Sequence, residues 1–208
     1  MAEVDFIPRS KPTRVYLVRH GTVVGAEEHR INGYREVPLS EKGIEEFHRI
    51  GKRLANDGIE VIYSSDLSRS RIGAEILSVY LKVEPEAPLE QLREKNFGIF
   101  EGLAPHEMQE RHPEHLRNLF QDWLTYRVPE SESMLDMQER VKTALQQILE
   151  RSRQKRVLII GHGGVNRAIV CHALNLPLEL SFRFDQDYGC LNIIDFYERM
   201  AVVRLLNG

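Results

Sequence analysis

The chain has 208 residues, of which 42% are hydrophobic and 28% are charged, and this composition predicts neither a disordered protein nor a membrane protein. The formal net charge of −3 argues against a nucleic-acid partner, because proteins that bind nucleic acids usually carry a basic excess. With no secretory signal and no apolar run of the roughly 18 residues that a membrane span needs, we expect one domain, residues 1–208, in the cytoplasm and away from membranes.

Three short apolar runs predict the buried strands of a mostly parallel sheet. They are RVYLVRH at 14–20, IEVIYSS at 59–65 and KRVLIIGH at 155–162. None of them alternates with polar residues, which is typical of strands that are covered on both faces. Residues 190–207 do alternate and break at 198–200, which predicts an antiparallel hairpin at an edge of the sheet.

Helical patterns follow these runs. Residues 39–57 repeat apolar side chains at helical spacing after Ser40, a predicted N-cap. Residues 67–81 and 164–174 follow the second and third runs directly. Strands that alternate with helices predict an α/β fold, here a three-layer sandwich with helices on both faces of the sheet.

Residues 103–135 differ from the rest of the chain, because they are polar, helical only in short pieces and interrupted by prolines. We interpret them as a helical excursion over the strand ends that could form a lid. The amphipathic stretch 134–154 predicts a long helix. Cys171 and Cys190 lie in apolar stretches without metal-ligand spacing, which predicts buried free thiols.

Polar side chains follow each buried run. The first run delivers Arg19 and His20, and the third ends at His162 before two glycines. The second run leads, one helical turn on, to Arg69 and Arg71. Because ligands of open α/β sheets bind at the carboxyl ends of the strands, we expect two histidines and at least one arginine to share one crevice.

A crevice with this much positive charge and no nearby acid predicts an anionic ligand, because an isolated buried charge is costly. A phosphoryl group fits, since arginine forks and glycine-bearing helix starts both donate to its oxygens. Neighbouring cations disfavour imidazolium, so His20 is the candidate nucleophile and His162 the stabilising partner. The leaving alkoxide needs a proton from a carboxylic acid, and the residues leave Glu94 and Glu101 both open.

Six motifs, in order, resemble those of the histidine phosphatase superfamily, in the branch that includes cofactor-dependent phosphoglycerate mutases and small-molecule phosphatases. They are LVRHGT at 17–22, RINGYREVPLSEKG at 30–43, IYSSDLSRSRIGAE at 62–75, LREKNFGIFEGL at 92–103, PESESMLDMQERV at 129–141 and IIGHGGVNRAIV at 159–170. The resemblance covers about residues 14–170. The sequence departs from the family pattern at Thr22, Gly25, Ala26, Asp66 and Gly73.

The resemblance implies a catalytic role for several of the residues at the strand ends. By this resemblance His20 is the phosphorylated nucleophile, and Arg19, Arg69 and His162 complete the phosphate pocket. The catalytic arginine is assigned to Arg69, since Arg71 falls where the motif is variable.

The same resemblance implies that Glu94 is the general acid. Asn32 and the backbone amide of Gly163 would be secondary contacts to phosphate or substrate. Glu132 is open between two roles, a helix cap and a substrate contact.

We therefore predict a phosphatase that uses no metal and no cofactor and hydrolyses a small-molecule phosphomonoester through a phosphohistidine. One alternative is a mutase, which would need extra cations in the excursion, where Arg111, Arg117 and Arg127 are the candidates. The other is a module that binds phosphorylated ligands without turnover. The alcohol stays open among sugar phosphates, phosphoserine, phosphoglycerate and α-ribazole phosphate, and a homodimer is a further hypothesis.

Overall fold

A five-stranded sheet runs through the middle of the molecule. The computed structural model describes residues 10–208. The strands are β1 (Thr13–Arg19), β2 (Val61–Ser64), β3 (Arg156–Gly161), β4 (Leu191–Phe196) and β5 (Ala201–Leu205). Their order is β2-β3-β1-β4-β5. Strands β2, β3 and β1 are parallel to one another, β4 is antiparallel to β1, and β5 is antiparallel to β4. The predicted parallel centre and the predicted C-terminal hairpin at one edge are both confirmed.

Six α-helices accompany the sheet. They are α1 (Glu41–Leu54), α2 (Ser68–Leu81), α3 (Pro105–Arg111), α4 (Pro113–Gln121), α5 (Met134–Arg151) and α6 (Gly163–Leu174). The predicted N-cap of α1 is confirmed, because Ser40 Oγ accepts a hydrogen bond from the N–H of Gly43 at 3.1 Å. Such a cap satisfies a backbone donor that the first turn of a helix leaves unpaired.

The helices form one layer on each face of the sheet. Alternate side chains of a strand point to opposite faces. In β1, Val15 and Leu17 belong to the apolar cluster that contains residues of α5 and α6. Tyr16 and Val18 belong to the cluster on the other face, with residues of α1 and α2. The structure thus has the three layers that the strand and helix patterns predict.

The excursion 103–135 carries α3 and α4. Pro105 and Pro113 each occupy the first position of a helix, where proline lacks only an N–H that would be unpaired anyway. The prolines therefore begin these helices rather than interrupt them. A small apolar cluster of Phe100, Met108, Leu116 and Val128 anchors the segment. Its action as a lid stays a prediction.

Two further features of the fold concern single residues. Cys171 and Cys190 are both buried and both free, as predicted. Gly73 lets α2 approach α1, because a Cβ at this position would overlap the ring of Phe47. Among residues 10–208, no helix is both long enough and apolar enough to cross a bilayer.

Candidate active site

The carboxyl ends of β1 and β3 lie side by side and bring the two predicted histidines into contact. Arg19, the last residue of β1, is in register with Gly161, the last residue of β3. His20 and His162 follow directly, and their ring centroids are 5.0 Å apart. Both side chains are buried, His20 at 6% exposure and His162 at 0%. The pairing of two parallel strands thus creates the predicted histidine pair.

The imidazole of His20 is held in one tautomer. Its Nδ1 lies 2.9 Å from the carbonyl oxygen of Gly21, which can only accept, so Nδ1 carries the proton and donates it. Burial lowers the pKa of His20 well below its usual range, and the charges of Arg69 and Arg19 lower it further. At neutral pH the ring is therefore uncharged, with the lone pair of Nε2 available for attack.

Arg69 is the buried arginine of the pair that the sequence places after β2. It is 1% exposed, whereas Arg71 is exposed on the opposite side of α2. Nη1 of Arg69 donates to the carbonyl of Arg35 at 2.7 Å, and Nη2 donates to the carbonyl of Gly33 at 2.7 Å. Its buried Nε has no hydrogen-bond partner among the described residues. Two backbone carbonyls thus hold the guanidinium in place, and the N–H of Nε is left without an acceptor among the described residues.

Arg19 is held from the other side by the loop before β4. Its guanidinium carbon lies 3.9 Å from the ring centroid of Tyr188, and Nη1 donates to the carbonyl of Gln186. The buried Nε has no partner within residues 10–208. A Cβ at Gly163 would lie 3.4 Å from this Nε, so the glycine brings the start of α6 close to the guanidinium.

His162 completes the cluster as the residue that precedes α6. Its Nε2 lies 3.4 Å from Ser70 Oγ, and its buried Nδ1 has no partner in the part of the chain that the structure describes. Burial lowers the pKa of His162 well below its usual range, and Arg69 adds to the effect. Buried polar groups are nearly always hydrogen-bonded, so Nδ1 of His162 and the Nε atoms of Arg19 and Arg69 are three buried polar atoms that a ligand could pair with.

The two candidate acids have different partners in the structure. Glu94 Oε2 accepts from the N–H of Gly164 at 3.0 Å, which places this carboxyl at the N-terminus of α6 beside the histidines. Glu101 Oε1 instead accepts from the N–H groups of Tyr34 and Phe97, at 2.8 Å and 3.1 Å. Glu101 therefore ties two loops together, while Glu94 lies where a leaving group could be protonated.

The two predicted secondary contacts have different surroundings. Gly163 opens α6, so its N–H has no partner inside the helix and lies beside Arg19. The side chain of Asn32 makes no hydrogen bond to any residue of 10–208, and its carbonyl accepts from the N–H of Arg35 at 2.9 Å. Asn32 thus belongs to the loop that holds Arg69, and its contact with phosphate stays a prediction.

The comparison with known families agrees with this geometry. The family model of the histidine phosphatase superfamily (branch 1) matches residues 15–208. The chain belongs to this superfamily.

Known proteins resemble this chain in sequence, in fold or in both. The chain is 32% identical over 189 residues to a probable phosphoglycerate mutase GpmB of Escherichia fergusonii, a match that covers 89% of the chain and 86% of the relative. YhfR of Bacillus stearothermophilus is 30% identical with a TM-score of 0.85, over 93% of this chain and 96% of YhfR. The alpha-ribazole phosphatase of Shigella flexneri has a TM-score of 0.88 at 23% identity, over 94% and 96% of the two chains, and shows the shared fold.

Besides Gly73, two more departures from the superfamily motifs have a structural explanation. The N–H of Thr22 donates to the Glu46 carboxylate at 2.8 Å, and its hydroxyl donates at 3.0 Å. Asp66 forms an ion pair with Arg93, whose Nε lies 2.8 Å from Oδ1. Both side chains are therefore engaged within the protein.

Tyr188 and Asn166 contact residues of the candidate site and were not singled out from the sequence. Tyr188 lies in a loop outside every matched motif and contacts both Arg19 and His20. Asn166 is fully buried, and its amide can accept from the N–H of Arg19 and donate to the carbonyl of His162, each at 3.2 Å. A polar residue on the buried side of an otherwise apolar helix was the available signal for Asn166, whereas nothing in the pattern indicated Tyr188.

Arg140 of α5 clamps the loop that carries Glu94. Its guanidinium donates at 2.7–2.9 Å to three backbone carbonyls, those of Gln91, Arg93 and Glu94. It also donates twice to the Glu132 carboxylate, from Nε at 2.9 Å and from Nη2 at 2.6 Å. Because this loop has little regular structure of its own, Arg140 positions the candidate acid.

Of the two roles that the sequence left open for Glu132, the helix cap is wrong, and the substrate contact stays untested. Ser133 is the N-cap of α5, since its Oγ accepts from the N–H of Asp136 at 3.1 Å. Glu132 Oε1 accepts from the N–H of Asn96 at 2.8 Å and pairs with Arg140. Glu132 therefore braces the loop that carries Glu94, through Asn96 and Arg140.

We expect Arg140→Met to destabilise the protein by about 2–3 kcal/mol, because it leaves the partly buried Glu132 carboxylate and three carbonyls without their donor. Displacement of Glu94 should also lower kcat. Thermal unfolding and steady-state kinetics measure the two effects. Arg127→Met is the matched control, because Arg127 pairs with Asp136 on the surface and should change neither quantity measurably. Equal effects of the two variants would contradict the clamp.

We expect stability to fall as the pH drops below about 6.5, because His20 and His162 have pKa values well below those of the unfolded chain. Unfolded histidines take up protons there and the folded ones do not. Each histidine contributes a slope that approaches about 1.4 kcal/mol per pH unit. Urea unfolding at pH 7.0, 6.0 and 5.5 measures this slope. His20→Asn should remove the contribution of His20 from this slope, and identical slopes in the variant and the parent would argue against a neutral His20.

Proposed function

We propose that this histidine phosphatase superfamily member is a phosphatase that hydrolyses a small phosphomonoester through a phosphohistidine on His20. Membership of the superfamily supports an enzyme that handles phosphoryl groups. The observation that carries the finer proposal is a neutral imidazole with an available Nε2, next to buried donors of Arg19, Arg69 and His162. Such donors stabilise charge on the equatorial oxygens of a transferring phosphoryl group.

In the first step Nε2 of His20 attacks phosphorus, and the bond between phosphorus and the ester oxygen breaks. Glu94, in its acid form, gives its proton to the leaving oxygen, so the alcohol departs neutral. The proton on Nδ1 of His20 stays on the ring, where the carbonyl of Gly21 accepts it as a hydrogen bond. The product of this step is a phosphohistidine within the cradle of arginines.

In the second step water attacks the phosphohistidine. Glu94, now a carboxylate, takes a proton from that water, and the bond between nitrogen and phosphorus breaks. Inorganic phosphate leaves, and both His20 and Glu94 return to their starting protonation states. The reaction needs one acid-base residue and one nucleophile, and Glu94 and His20 are proposed for these roles.

Hydrolysis is favoured over mutase chemistry by the charges of the excursion. A mutase must hold a second acidic end of its substrate and keep water away. Arg111 lies 3.6 Å from Glu107, and Arg127 lies 2.7 Å from Asp136, so both candidate cations already have acidic partners. Arg117 is exposed on α4. A hydrolase needs none of these side chains.

A module that binds without turnover is the remaining alternative. It would have no need for a nucleophile and an acid at the same site. All five positions that the superfamily motifs make catalytic are filled in this chain: Arg19, His20, Arg69, Glu94 and His162. The complete set favours catalysis.

The reaction is proposed to need no metal. Within residues 10–208, no group of three or more His, Cys, Asp or Glu side chains is placed to hold a metal ion.

Incubation with p-nitrophenyl phosphate and a chelator tests the proposal. We expect p-nitrophenol and inorganic phosphate in equal amounts, and an acid-labile, base-stable phosphoryl label on the protein after a rapid quench. With 3-phosphoglycerate, phosphorus NMR separates release of inorganic phosphate from interconversion of the two phosphoglycerates. Interconversion without release would make the protein a mutase, and binding of esters without any product would make it a binding module.

A further inference from the structure

Tyr188 lies beside the candidate phosphate pocket, and the reaction proposed above does not use it. Its ring centroid is 3.9 Å from the guanidinium carbon of Arg19 and 5.5 Å from the ring centroid of His20. Tyr188 is half-buried, whereas His20 is only 6% exposed. One aromatic ring thus contacts both the candidate nucleophile and one of the candidate phosphate ligands.

Hydrogen bonds fix the backbone on both sides of Tyr188. The N–H of Gly189 donates to the carbonyl of His20 at 3.2 Å. Gly189 has a φ of +63°, a left-handed conformation that glycine adopts without strain. The N–H of Asp187 donates to Oδ1 of Asn207 at 2.8 Å. The ring is therefore held next to the pocket by a loop whose backbone is itself fixed.

The aromatic face of Tyr188 makes its contacts, and the hydroxyl does not. Within residues 10–208 the hydroxyl makes no hydrogen bond, and the contacts of the side chain are those of its ring with Arg19 and His20. A cation near the face of an aromatic ring is attracted by the negative charge of that face. A phenylalanine at this position would keep the same face.

Arg19 relies on this face because it forms no ion pair with an aspartate or glutamate of 10–208. Its Nη1 donates to the backbone carbonyl of Gln186, and its buried Nε has no partner in the same range. A guanidinium that stacks on a ring keeps one plane and can still donate from its edge. The stack therefore fixes the direction in which Nε–H of Arg19 could meet a phosphoryl oxygen.

The ring of Tyr188 also covers His20. Burial is the largest cause that lowers the pKa of His20, and the charges of Arg69 and Arg19 follow. The titratable and charged groups around His20 come from five parts of the chain: Arg19, Arg69, Glu94, His162 and Tyr188. Since Tyr188 is half-exposed, loss of its ring would admit water, and water stabilises the imidazolium form.

We propose that Tyr188 is a positioning residue, whose ring fixes the plane of the Arg19 guanidinium and keeps water away from His20. The inference rests on the proposed function, because that function assigns Arg19 to the phosphoryl group and makes His20 the nucleophile. It requires an aromatic ring at position 188 and does not require the hydroxyl.

Three substitutions separate the ring from the hydroxyl. Tyr188→Phe should bind inorganic phosphate as the wild type does, within about twofold. Tyr188→Ala and Tyr188→Leu should weaken that binding by about 5–30-fold, the fold-change that corresponds to a cation–π contact. Calorimetric titration measures the affinities. The value of kcat/KM on p-nitrophenyl phosphate should fall in the same two variants and stay near that of the wild type in Tyr188→Phe.

NMR titration of the histidine ring protons measures the exclusion of water directly. The signal of His20 is the one that His20→Ala lacks. In the wild type and in Tyr188→Phe, the pKa of His20 should stay well below its usual value of about 6.5. In Tyr188→Ala it should rise by about one pH unit, and in Tyr188→Leu by less, because leucine keeps part of the apolar cover. A ring that only stabilises the fold would not change this titration.

Tyr197→Ala is the control, because Tyr197 is also half-buried but follows β4 at the opposite end of the sheet, and it should change neither reading. Thermal unfolding checks that each variant is folded. Phosphate affinity and a His20 titration that stay as in the wild type in Tyr188→Ala and Tyr188→Leu would overturn the proposal. Equal losses in Tyr188→Phe and Tyr188→Ala would overturn it too. If the wild type hydrolyses no phosphomonoester, the proposed function fails, while the two binding and titration readings still test Tyr188.

Discussion

His20→Ala is expected to lower kcat/KM by about 10⁴-fold or more on every phosphomonoester that the protein hydrolyses. The imidazole supplies the only bond between protein and phosphorus in the proposed reaction, and neither arginine of the pocket can replace its lone pair. The phosphoryl label should vanish with it. Steady-state rates and acid-quenched, base-stable labelling measure the two outcomes on the same preparation.

The control for this variant must separate loss of chemistry from loss of fold. His48→Ala removes an exposed histidine that contacts Tyr80 on the surface, and it should retain full activity and label. His20→Ala should still bind inorganic phosphate in a calorimetric titration, because Arg19, Arg69 and His162 remain. Labelling that persists in His20→Ala would place the nucleophile elsewhere and end the proposal.

Glu94→Gln should lower kcat/KM by about 10²–10⁴-fold on alkyl phosphates and by much less on p-nitrophenyl phosphate. An alkoxide cannot leave without a proton, whereas p-nitrophenolate can. The quantity kcat/KM reports the steps up to formation of the phosphohistidine, so slow hydrolysis in the second step does not obscure the difference. Glutamine keeps an oxygen that can accept from the N–H of Gly164 but loses the bond that Oε1 accepts from the N–H of Lys95 at 2.9 Å, so the side chain should stay in place with one bond fewer.

Glu101→Gln is the matched control for this second variant. It weakens the hydrogen bonds to Tyr34 and Phe97 and should therefore lower the unfolding temperature without any dependence on the leaving group. Glu94→Gln should also accumulate the phosphohistidine label, since the base of the second step is missing. Equal losses on alkyl and nitrophenyl esters would show that Glu94 holds the site together and does not protonate the alcohol.

These four variants depend on features that were predictable to different degrees. The strand ends at Arg19, His20 and His162 followed from apolar runs that stop at polar residues, because a buried parallel strand leaves a distinct local pattern. The N-cap at Ser40 followed in the same way. The motif resemblance then chose Arg69 over Arg71, and in the structure Arg69 is buried and Arg71 is exposed.

The choice between Glu94 and Glu101 shows where local pattern stops being informative. Both carboxylates lie in one short, irregular stretch, and only their partners separate them: Gly164, 70 residues away, for the first, and Tyr34, 67 residues away, for the second. Neither contact leaves a periodic signal. The resemblance to a family favours Glu94, where spacing left both residues open.

The amino-acid sequence alone therefore determined the order of strands and helices along the chain. It also determined that the candidate site lies at the carboxyl ends of the parallel strands, and which residue types meet there. Tertiary structure alone decided that Arg140 and Glu132 brace the loop of Glu94 and that Tyr188 and Asn166 hold Arg19. The physical reason is the separation along the chain of the residues that interact. Apolar periodicity and capping act between neighbours along the chain, whereas hydrogen bonds and charges act between side chains that only folding brings together.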